Sequence, residues 1–335
     1  MSALARDLDE IAASTGFAGV VRVDRDGELD LARAYGLADR SHDVPNTPDT
    51  QFGIASGTKG LTALVVMRLV EDGALGLETT ARSVLGSDLP LIDEQVTIEH
   101  LLAHRSGIGD YLDEELDLDF SDYLMPVPVH RLSTTEAYLD VLDGHPQKFV
   151  PGERFSYSNS GYVVLALIAE RVAATPFHDL VRDLVCAPAG MVDTAFLRSD
   201  ALPGRAALGY TRVGEEWRTN VFHLPVCGSG DGGIYTTAAD VSAFWRALFA
   251  GAIVREETLA MMLEERSSAR DDRGYGLGFW LPVGGGAVRL EGGDTGVRFS
   301  TVHDQERRLT WTVLANTDVA PRSLGARLEE ERKSA

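Results

Sequence analysis

A serine and a lysine three positions apart can provide a nucleophile and the group that takes its proton. The stretch FGIASGTKGLTAL, residues 52 to 64, contains Ser56 and Lys59 in this spacing, directly before an apolar run. A serine hydroxyl attacks poorly until a neighbouring group removes its proton, and a lysine can do so when burial and the positive end of a helix lower its pKa. The spacing therefore indicates nucleophilic catalysis by Ser56.

The element that carries this pair is predicted to be a helix buried on most sides. The run from 61 to 70 is almost entirely apolar, and Gly73 follows it. Residues three apart share a helix face, so the amine of Lys59 can lie beside the hydroxyl of Ser56. The alternative is that Ser56 or Thr58 caps the helix while Lys59 reaches solvent.

A second stretch, PGERFSYSNSGYVVLALIAERV at 151 to 172, offers the further polar groups that such chemistry needs. After a Pro-Gly turn, Tyr157 and Asn159 precede another apolar helix, which is predicted to begin near Ser160. Tyr157 is a candidate second acid/base group. Taken alone, the stretch also fits a helix cap by Ser158, Asn159 or Ser160, with Tyr157 as an aromatic wedge.

Together, the SxxK and YxN patterns resemble the serine β-lactamase and penicillin-binding protein superfamily, in particular its class C β-lactamase and esterase (D-aminopeptidase-like) branch. The resemblance extends through TPDTQFGIASGTKGLTALVVMRLVEDGALGLE, VTIEHLLAHRSGIGDY, GSGDGGIYTTAADVSAFWRAL and YGLGFWL, and covers about Phe17 to Asn316. It implies an antiparallel sheet flanked by terminal helices, with a largely helical lobe inserted between the early and the late strands.

Carried over residue by residue, the resemblance makes Ser56 the acylated nucleophile, Lys59 its proton partner and Tyr157 the second acid/base. Tyr157 is expected to work as a phenolate beside the ammonium of Lys59. Asn159 would hold the substrate or the lysine, and the backbone N–H of Ser56 would be one oxyanion donor. The implied reaction proceeds through an acyl-enzyme and uses neither a cofactor nor a metal.

The third family motif is where this sequence departs from the pattern. The usual Lys-Thr-Gly or His-x-Gly is replaced in RLEGGDTGVRFST by Glu291, Gly292 and Gly293. The glycines would let a substrate approach the strand closely, and the N–H of Asp294 would be the second oxyanion donor. The residue without a counterpart in the family is the glutamate.

Two interpretations of Glu291 remain open. As a free carboxylate it would repel an anionic substrate such as a penicillin, so the pocket would prefer neutral or cationic substrates. Alternatively it points away from the pocket, or pairs with an arginine such as Arg289 or Arg298, because strand side chains alternate between faces. Tyr111 and Arg298 are further candidates to reach the pocket.

Three other patterns are assigned to structure rather than to chemistry. His100 and His104 stand at i and i+4, but HExxH is absent and the family resemblance makes His104 a turn residue. The glycines of GYGLGFW lead into a strand, which is predicted to pack closely and not to bind a nucleotide. The acidic stretch from 113 to 122 lacks EF-hand spacing and is predicted to be a solvated loop near the pocket rim.

Composition excludes several other classes of function. The 335 residues are 44% apolar and carry 51 acids against 31 Lys and Arg, a formal charge of −20, which disfavours nucleic acid and anionic membranes. No stretch approaches about 20 uncharged apolar residues, and no signal-peptide pattern is present. Cys186 and Cys227 fit neither a disulfide framework nor a zinc site. We therefore expect a soluble, cytoplasmic protein with buried thiols.

The elements that must position these residues follow from local patterns. The sequence predicts an amphipathic helix at its start, two strands around a turn at Asp26-Gly27, and mainly helices from Gly60 to about Thr175. It predicts late strands in YGLGFWL, AVRLEGG, RFSTVHD and LTWTVLANT, and a terminal helix in SLGARLEEERK. The expected fold is α+β, an α/β sandwich forming one β-lactamase/transpeptidase-like domain. Its α/β lobe would comprise about 1–58 and 232–335, and its helical lobe about 59–231.

These observations predict a cofactor-free serine hydrolase whose substrate is a small ester, amide or peptide. A β-lactamase or D-alanyl-D-alanine peptidase is the alternative within the same chemistry. A catalytically silent member that binds a ligand or a partner is the alternative of another class. The sequence leaves the substrate and the oligomeric state open, because one fold serves many substrates.

Overall fold

The elements are given for a computed structural model that describes residues 2–116, 123–270, 273–282, 286–319 and 322–334. Part of the acidic stretch predicted to line the pocket rim, 117–122, lies outside these residues. The strands are β1 (Gly19–Arg25), β2 (Glu28–Tyr35), β3 (Leu37–Asp39), β4 (Val44–Pro45), β5 (Phe52–Gly53), β6 (Tyr210–Val213), β7 (Glu216–Thr219), β8 (Tyr235–Thr236), β9 (Ser267–Arg270), β10 (Arg273–Tyr275), β11 (Trp280–Pro282), β12 (Val288–Asp294), β13 (Val297–Asp304) and β14 (Leu309–Ala315). The α-helices are α1 (Ala3–Thr15), α2 (Thr58–Glu71), α3 (Ala81–Leu85), α4 (Ile98–Leu102), α5 (Leu139–Leu142), α6 (Asn159–Ala173), α7 (Phe177–Val181), α8 (Ala187–Ala189), α9 (Ala238–Phe249), α10 (Glu256–Met262) and α11 (Arg322–Ser334).

Eight strands form one antiparallel sheet in the order β2-β1-β14-β13-β12-β11-β10-β9. The first hairpin pairs with the last strand, since Gly19 lies opposite both Tyr35 and Ala315. On the other side of the sheet, β11 meets β12 at Trp280 and Arg289. The two ends of the chain thus build one sheet, and β12 lies inside it.

The two faces of the sheet bury different apolar cores. Because strand side chains alternate, Val21 faces one side and packs in a cluster with Leu8 of α1 and Leu328 of α11. Val20 and Leu314 belong to the larger cluster on the opposite face, which includes the helices α2, α6 and α9. The terminal helices therefore cover one face, and the helices that carry the sequence motifs cover the other.

The helices that follow the two motifs, α2 and α6, are buried along most of their length. Every residue from Thr58 to Met67 and from Asn159 to Ala169 is buried, as expected for helices that are apolar all round. In α2, a Cβ at Gly60 would lie 2.7 Å from a methyl carbon of Leu290 in β12. Glycine at this position lets the helix pack directly against the strand.

The segment YGLGFWL is not the single strand that the sequence predicted. Tyr275 ends β10 and Trp280 begins β11, and between them the N–H of Gly276 donates to the carbonyl of Phe279 at 2.9 Å. Gly278 has a φ of +97°, and a Cβ there would lie 2.3 Å from Cβ of Ala63 in α2. The glycines thus form a tight turn against α2, which interrupts the strand.

The predicted fold class is confirmed, because a large antiparallel sheet carries terminal helices on one face and a helical part on the other. The turn at Asp26-Gly27, the late strands from β12 to β14 and the terminal helix are also present, while the small hairpin of β6 and β7 was missed. Cys186 and Cys227 are buried free thiols. The lobe boundaries at 58 and 232 stay a prediction.

Within the described ranges, no individual helix is both long and apolar enough to cross a membrane. The consecutive helical segments Asn159–Ala173 and Phe177–Ala189 meet the length and composition criteria as a pair, with a bend of 88° between them.

Candidate active site

Ser56 lies in a tight turn at the start of α2. A 3-10 turn, Ala55–Gly57, leads directly into the helix, and Ala55 has a φ of +44°, which is uncommon for a residue with a side chain. Thr58 holds the turn, because its Oγ1 donates to the carbonyl of Ala55 at 2.8 Å and accepts the N–H of Ile234 at 3.2 Å. The helix has no side-chain cap. Ser56 is only half-buried, so its hydroxyl is presented to the adjoining cavities rather than used as a cap.

Lys59 is buried, with 2% of its surface exposed, and its Nζ contacts three oxygens. These are Ser56 Oγ at 3.0 Å, Asn159 Oδ1 at 2.8 Å and the backbone oxygen of Asp231 at 2.8 Å. Burial lowers the pKa of Lys59, although nearby carboxyls, first Asp231 and then Glu114, act in the opposite direction.

The chemistry of these three oxygens differs. An amide oxygen and a backbone carbonyl only accept hydrogen bonds, whereas a serine hydroxyl can also donate one. A neutral Lys59 can therefore direct two N–H groups to Asn159 and Asp231 and its lone pair to Ser56. The arrangement suits an amine that takes the proton of the serine.

Tyr157 lies beside the serine and lysine pair. Its ring centroid is 4.8 Å from Lys59 Nζ, and it stacks on Trp280 at 6.1 Å. Burial raises the pKa of Tyr157 well above its usual value, and the charge of Glu114 adds to this, while a hydrogen bond with Ser56 opposes it. The resting site therefore favours a neutral phenol. This differs from the phenolate expected from the sequence, because the cost of burying the charge outweighs its stabilisation.

His104 contacts the site although the sequence assigned it only to a turn. It does occupy a turn, with a φ of +55°, and its imidazole lies 4.3 Å from the ring of Tyr157. Its Nδ1 accepts the backbone N–H of Ser158 at 3.0 Å. Burial, with the charge of Lys59, holds the pKa of His104 well below its usual range. A neutral histidine thus supports Tyr157 and Ser158, and no local spacing could signal the contact between His104 and Ser158 across 54 residues.

Asn159 is oriented by the segment that contains Leu112 and Glu114. Its Nδ2 donates to the carbonyl of Leu112 at 3.0 Å and to Glu114 Oε1 at 3.2 Å, which directs its Oδ1 to Lys59. Of the two roles expected for Asn159, the structure shows contact with the lysine. The amide completes the set of acceptors around the amine.

Asp110 holds the start of α6 and was missed by the sequence. Its carboxylate accepts the N–H of Asn159 at 2.7 Å and that of Ser160 at 3.2 Å. Ser158 adds the cap that the sequence proposed, since its Oγ accepts the N–H of Gly161 at 3.0 Å. Structural capping and site formation are therefore both present at this helix end. A carboxylate 49 residues away leaves no local signal.

Asp231 was likewise missed as a site residue, although the sequence singled out the segment GSGDGG that contains it. Its backbone oxygen contacts Lys59, and its carboxylate accepts the hydroxyl of Tyr111. Tyr111, which the sequence named as a candidate to reach the pocket, is buried. In the same segment, a Cβ at Gly230 would lie 2.1 Å from the carbonyl of Tyr162 in α6. This close packing brings the loop to the lysine.

The strand β12 packs directly against the nucleophile turn. A Cβ at Gly292 would lie 2.0 Å from the carbonyl oxygen of Ile54 and 2.9 Å from the backbone nitrogen of Gly57. The sequence expected this glycine to admit substrate, but the structure uses it to admit the turn that carries Ser56. Gly293, by contrast, faces Arg298, whose Nη1 lies 3.3 Å from the position of a Cβ.

Asp294, the last residue of β12, has a carboxyl in an unusual environment. Its Oδ1 accepts the N–H of Thr295 at 2.8 Å. Burial, reinforced by the charge of Asp231, raises the pKa of Asp294 to about 7. The guanidinium of Arg298 acts in the opposite direction and donates to the backbone oxygen of Asp294 at 2.7 Å.

Glu291 does not provide the free negative charge that one interpretation of the sequence expected. Its two carboxylate oxygens contact Arg273 Nη1 at 2.9 Å and Arg289 Nη1 at 2.8 Å. Leu290 and Gly292, its neighbours along β12, face α2 and the nucleophile turn, so Glu291 points to the opposite face. The interpretation of Glu291 as a free carboxylate is therefore wrong, since two guanidinium groups compensate its charge, and the alternative that it pairs with an arginine such as Arg289 agrees with the structure.

Two cavities meet at Ser56. The larger, which we call the cleft, has a volume of about 1220 Å³ and is lined by Ser56, Phe155, Tyr157, Trp280, Glu291 and Arg298 among others. The smaller, which we call the inner cavity, has a volume of about 80 Å³ and is less open. It is lined by Ser56, Tyr111, Asn159, Asp231, Asp294 and Val297 among others. The hydroxyl of Ser56 can therefore reach a molecule that extends into both.

Comparison with known proteins agrees with this architecture. The sequence matches the Beta-lactamase family over residues 4–334. A crystal structure of a penicillin-binding protein from Bacillus halodurans has a TM-score of 0.92 and 34% identity, covering 97% of this chain and 99% of that one. Esterase EstB of Burkholderia gladioli is 31% identical over 78% of this chain and 73% of the esterase. PbpX of Bacillus subtilis (strain 168) is 28% identical over 80% of this chain, which spans 63% of that relative's length.

The chain therefore belongs to the Beta-lactamase family of serine hydrolases. The family resemblance and the enzyme class predicted from the sequence are confirmed.

Proposed function

We propose that this protein hydrolyses a small ester or amide through an acyl-enzyme formed on Ser56. The observation that carries the proposal is the set of contacts around Lys59 Nζ, where Ser56 Oγ is the partner with a proton to give. A lysine that only stabilised the fold would not need to be buried against a half-exposed serine. The esterase among the relatives supports an ester substrate.

In the proposed acylation, Lys59 takes the proton of Ser56 as Oγ attacks the substrate carbonyl. The backbone N–H groups of Ser56 and Asp294 would stabilise the oxyanion. The N–H of Ser56 lies in the turn that leads into α2, where an N–H lacks a partner within the helix. Tyr157, as a neutral phenol, gives its proton to the leaving group and regains one from the ammonium of Lys59. Lys59 and Tyr157 are then both neutral again, and the leaving group has gained the proton that Ser56 lost.

Deacylation reverses this proton path. A water molecule attacks the acyl group, and Tyr157 with Lys59 accepts its proton. As the ester bond to Ser56 breaks, the same pair returns a proton to Oγ. The site is then restored without a cofactor.

The two cavities suggest how a substrate is oriented. A leaving group must depart to solvent before water attacks, which suits the wide cleft of about 1220 Å³. The acyl group must stay during both half-reactions, which suits the inner cavity of about 80 Å³. We infer that the inner cavity holds the acyl side and limits it to a small group.

A β-lactam is a second candidate acyl donor, and its larger acyl group, which keeps the opened ring, would have to extend into the cleft. The pairing of Glu291 with Arg273 and Arg289 removes the electrostatic objection that the sequence raised. Penicillin-binding protein is also the name of the relative with 34% identity.

The proposal is tested by locating the acylated residue. The protein is treated with a fluorophosphonate, and intact mass followed by peptide mapping identifies the adduct. We expect one adduct on Ser56, none in Ser56→Ala, and an unchanged adduct in the control Ser199→Ala, which removes another serine that lines the inner cavity. An adduct on a different residue, or full ester turnover by Ser56→Ala, contradicts the proposal.

A further inference from the structure

His104 binds the segment around Tyr157 at three points. Its backbone oxygen accepts the N–H of Ser156 at 2.8 Å, and its Nδ1 accepts the N–H of Ser158 at 3.0 Å. The centroid of its imidazole lies 4.3 Å from that of the Tyr157 ring, whereas the ring of Trp280 lies 6.1 Å from it. One residue therefore fixes the backbone on both sides of Tyr157 and also contacts its side chain.

The turn that carries His104 is itself held firmly. His104 is buried, with 0% of its surface exposed, and the carbonyl of the next residue, Arg105, accepts the N–H of Gly152 at 2.8 Å. The imidazole centroid lies 4.7 Å from that of Tyr275 in β10 and 4.9 Å from that of Tyr162 in α6. Because the imidazole is packed against a strand and a helix, it gives Tyr157 a rigid support.

A histidine at this position has two costs that a residue of purely structural use would avoid. Its φ of +55° is uncommon for a residue with a side chain, whereas glycine adopts it without strain. Since Nδ1 accepts an N–H, the proton of the neutral ring is on Nε2, which has no hydrogen-bond partner within the described ranges. A buried polar atom without a partner destabilises a fold. Glycine would suit the turn and an apolar side chain would fill the space, so the position requires the imidazole itself.

We propose that His104 is a positioning residue, which holds the phenol of Tyr157 where its hydroxyl can protonate the leaving group. This rests on the proposed function, in which Tyr157 gives its proton as the bond to the leaving group breaks and regains one from Lys59. His104 exchanges no proton in these steps. Burial and the charge of Lys59 hold the pKa of His104 well below its usual range, so the neutral ring adds no second positive charge beside Lys59.

The proposed role depends on the leaving group of the substrate. Ethoxide is a strong base and leaves only when it is protonated, whereas p-nitrophenolate is a stable anion and leaves without a proton. A displaced phenol should therefore slow the cleavage of an ethyl ester selectively. General damage to the site would slow both esters alike.

The test compares kcat/KM for ethyl acetate and p-nitrophenyl acetate, which share one acyl group. His104→Leu removes the ring and the acceptor, while His104→Asn keeps an acceptor and tolerates a positive φ. For ethyl acetate we expect losses of about 100-fold in His104→Leu and about tenfold in His104→Asn, because a small misplacement of a reacting group costs about 10² in rate. For p-nitrophenyl acetate both losses should stay below about threefold.

A histidine elsewhere in the sheet provides the matched control. His303 also stacks on an aromatic ring, that of Trp245 at 5.6 Å, and its Nδ1 contacts Thr310 Oγ1 at 2.8 Å. It lies at the end of β13 away from Val297, which lines the inner cavity. His303→Leu should keep the wild-type ratio of kcat/KM for the two esters.

A double variant shows whether His104 acts through Tyr157. Adding His104→Asn to Tyr157→Phe should cause no further selective loss on ethyl acetate, because the phenol that His104 positions is already gone. Equal losses on the two esters in His104→Asn overturn the inference. A selective loss that persists in the Tyr157→Phe background also overturns it.

A measurement without chemistry separates this inference from the proposed function. The nine tyrosines are replaced by meta-fluorotyrosine, and the fluorine NMR resonances of Tyr157 are assigned by their absence in Tyr157→Phe. The wild type should show separate resonances for the two ring orientations, which should merge in His104→Asn as the ring turns over faster. Merged resonances in the wild type, or separate ones in both His104 variants, overturn the inference even if Ser56 is acylated. The expected merging, together with full activity of Tyr157→Phe on both esters, supports the positioning and contradicts only the acid role that the proposed function gives to Tyr157.

Discussion

Glu291 and Asp294 stand three residues apart on β12, yet their carboxyls have opposite environments. Glu291 faces the side of the sheet that carries α11, where Arg273 and Arg289 bind both of its oxygens. Asp294 faces the inner cavity, where Thr295 supplies its one described donor. The effect of each carboxylate thus depends on its partners. Which partners it meets depends on the face of the strand from which its side chain extends.

The charged groups on the two sides of β12 differ in the same way. On the side of α11, Arg289 also pairs with Glu329, so charges compensate one another near solvent. On the side of α2, Lys59 is buried and its pKa is lowered, while the pKa of Asp294 is raised. Perturbed groups collected in a cavity are typical of reactive sites, whereas paired surface charges mainly hold elements together.

The largest effect on the acylation rate is expected for Lys59, the buried cation on the α2 side of β12. Lys59→Ala should slow acylation of Ser56 by about 10³ to 10⁴, because it removes the group placed to accept the serine proton. Stopped-flow acylation by a chromogenic ester measures the rate. Lys148→Ala is the control, since this lysine also donates to a serine hydroxyl, Ser156 at 2.9 Å, but away from Ser56. Equal losses in both variants would show that the effect is structural.

Tyr157→Phe should lower the acylation rate by about 10² to 10³, with thermal stability nearly retained, because only the proton donor for the leaving group is lost. The loss in the double variant with Lys59→Ala should be smaller than the product of the two, since both act on one proton path. Tyr123→Phe is the matched control, as its hydroxyl donates to the carbonyl of Tyr111 at 2.6 Å. Full activity of Tyr157→Phe at every pH would mean that another acid serves the leaving group.

Asp294→Asn should stabilise the protein at high pH. The folded pKa of Asp294, about 7, exceeds the value of about 3.9 in an unfolded chain, so the native state binds more protons between these values. The free energy of unfolding of the wild type therefore falls as pH rises from about 4 to 7. The variant lacks this fall, so its advantage should grow from near zero at pH 4 to about 1 to 3 kcal/mol above pH 7. Urea unfolding at pH 4.5 and 8 measures it, and an advantage independent of pH would contradict the environment described for Asp294.

Glu291→Gln should have the smallest effect, and it should lower the free energy of unfolding, whereas Asp294→Asn raises it. Losing half-exposed ion pairs to Arg273 and Arg289 should destabilise the protein by about 0.5 to 1 kcal/mol, and less at high salt. The relative kcat/KM for cationic and anionic esters should stay close to that of the wild type. A large shift towards anionic esters would show that the charge of Glu291 acts on the substrate, and the contrast along β12 would fail.

The sequence could predict the parts of the site that local spacing determines. Ser56 and Lys59 are one helical turn apart, and the apolar run behind them predicts a buried helix, which α2 is. Tyr157 and Asn159 lie at the start of α6 in the same way. Of the two further candidates to reach the pocket, Tyr111 lines the inner cavity and Arg298 lines the cleft.

The contacts that the sequence did not predict join distant segments. Asp110 supports Asn159 across 49 residues, and Asp231 contacts Lys59 across 172. His104 likewise contacts Tyr157 from a distant segment. No periodic signal spans such separations. Arg289 was anticipated as a partner of Glu291, but Arg273 reaches it only because β10, β11 and β12 are neighbours in the sheet. The order of strands decides such pairs, and local pattern does not encode it.

The central claim is that a buried, readily deprotonated Lys59 activates Ser56, and the pH dependence of acylation tests it most directly. The rate at which a neutral phosphonate ester modifies Ser56 is measured from pH 5 to 10.5 in the wild type and in Lys59→Ala. We predict that the wild-type rate rises with an apparent pKa below about 10.4, the ordinary value for lysine, and that Lys59→Ala lacks this rise. A rise at or above that value, or the same rise in Lys59→Ala, would contradict the account.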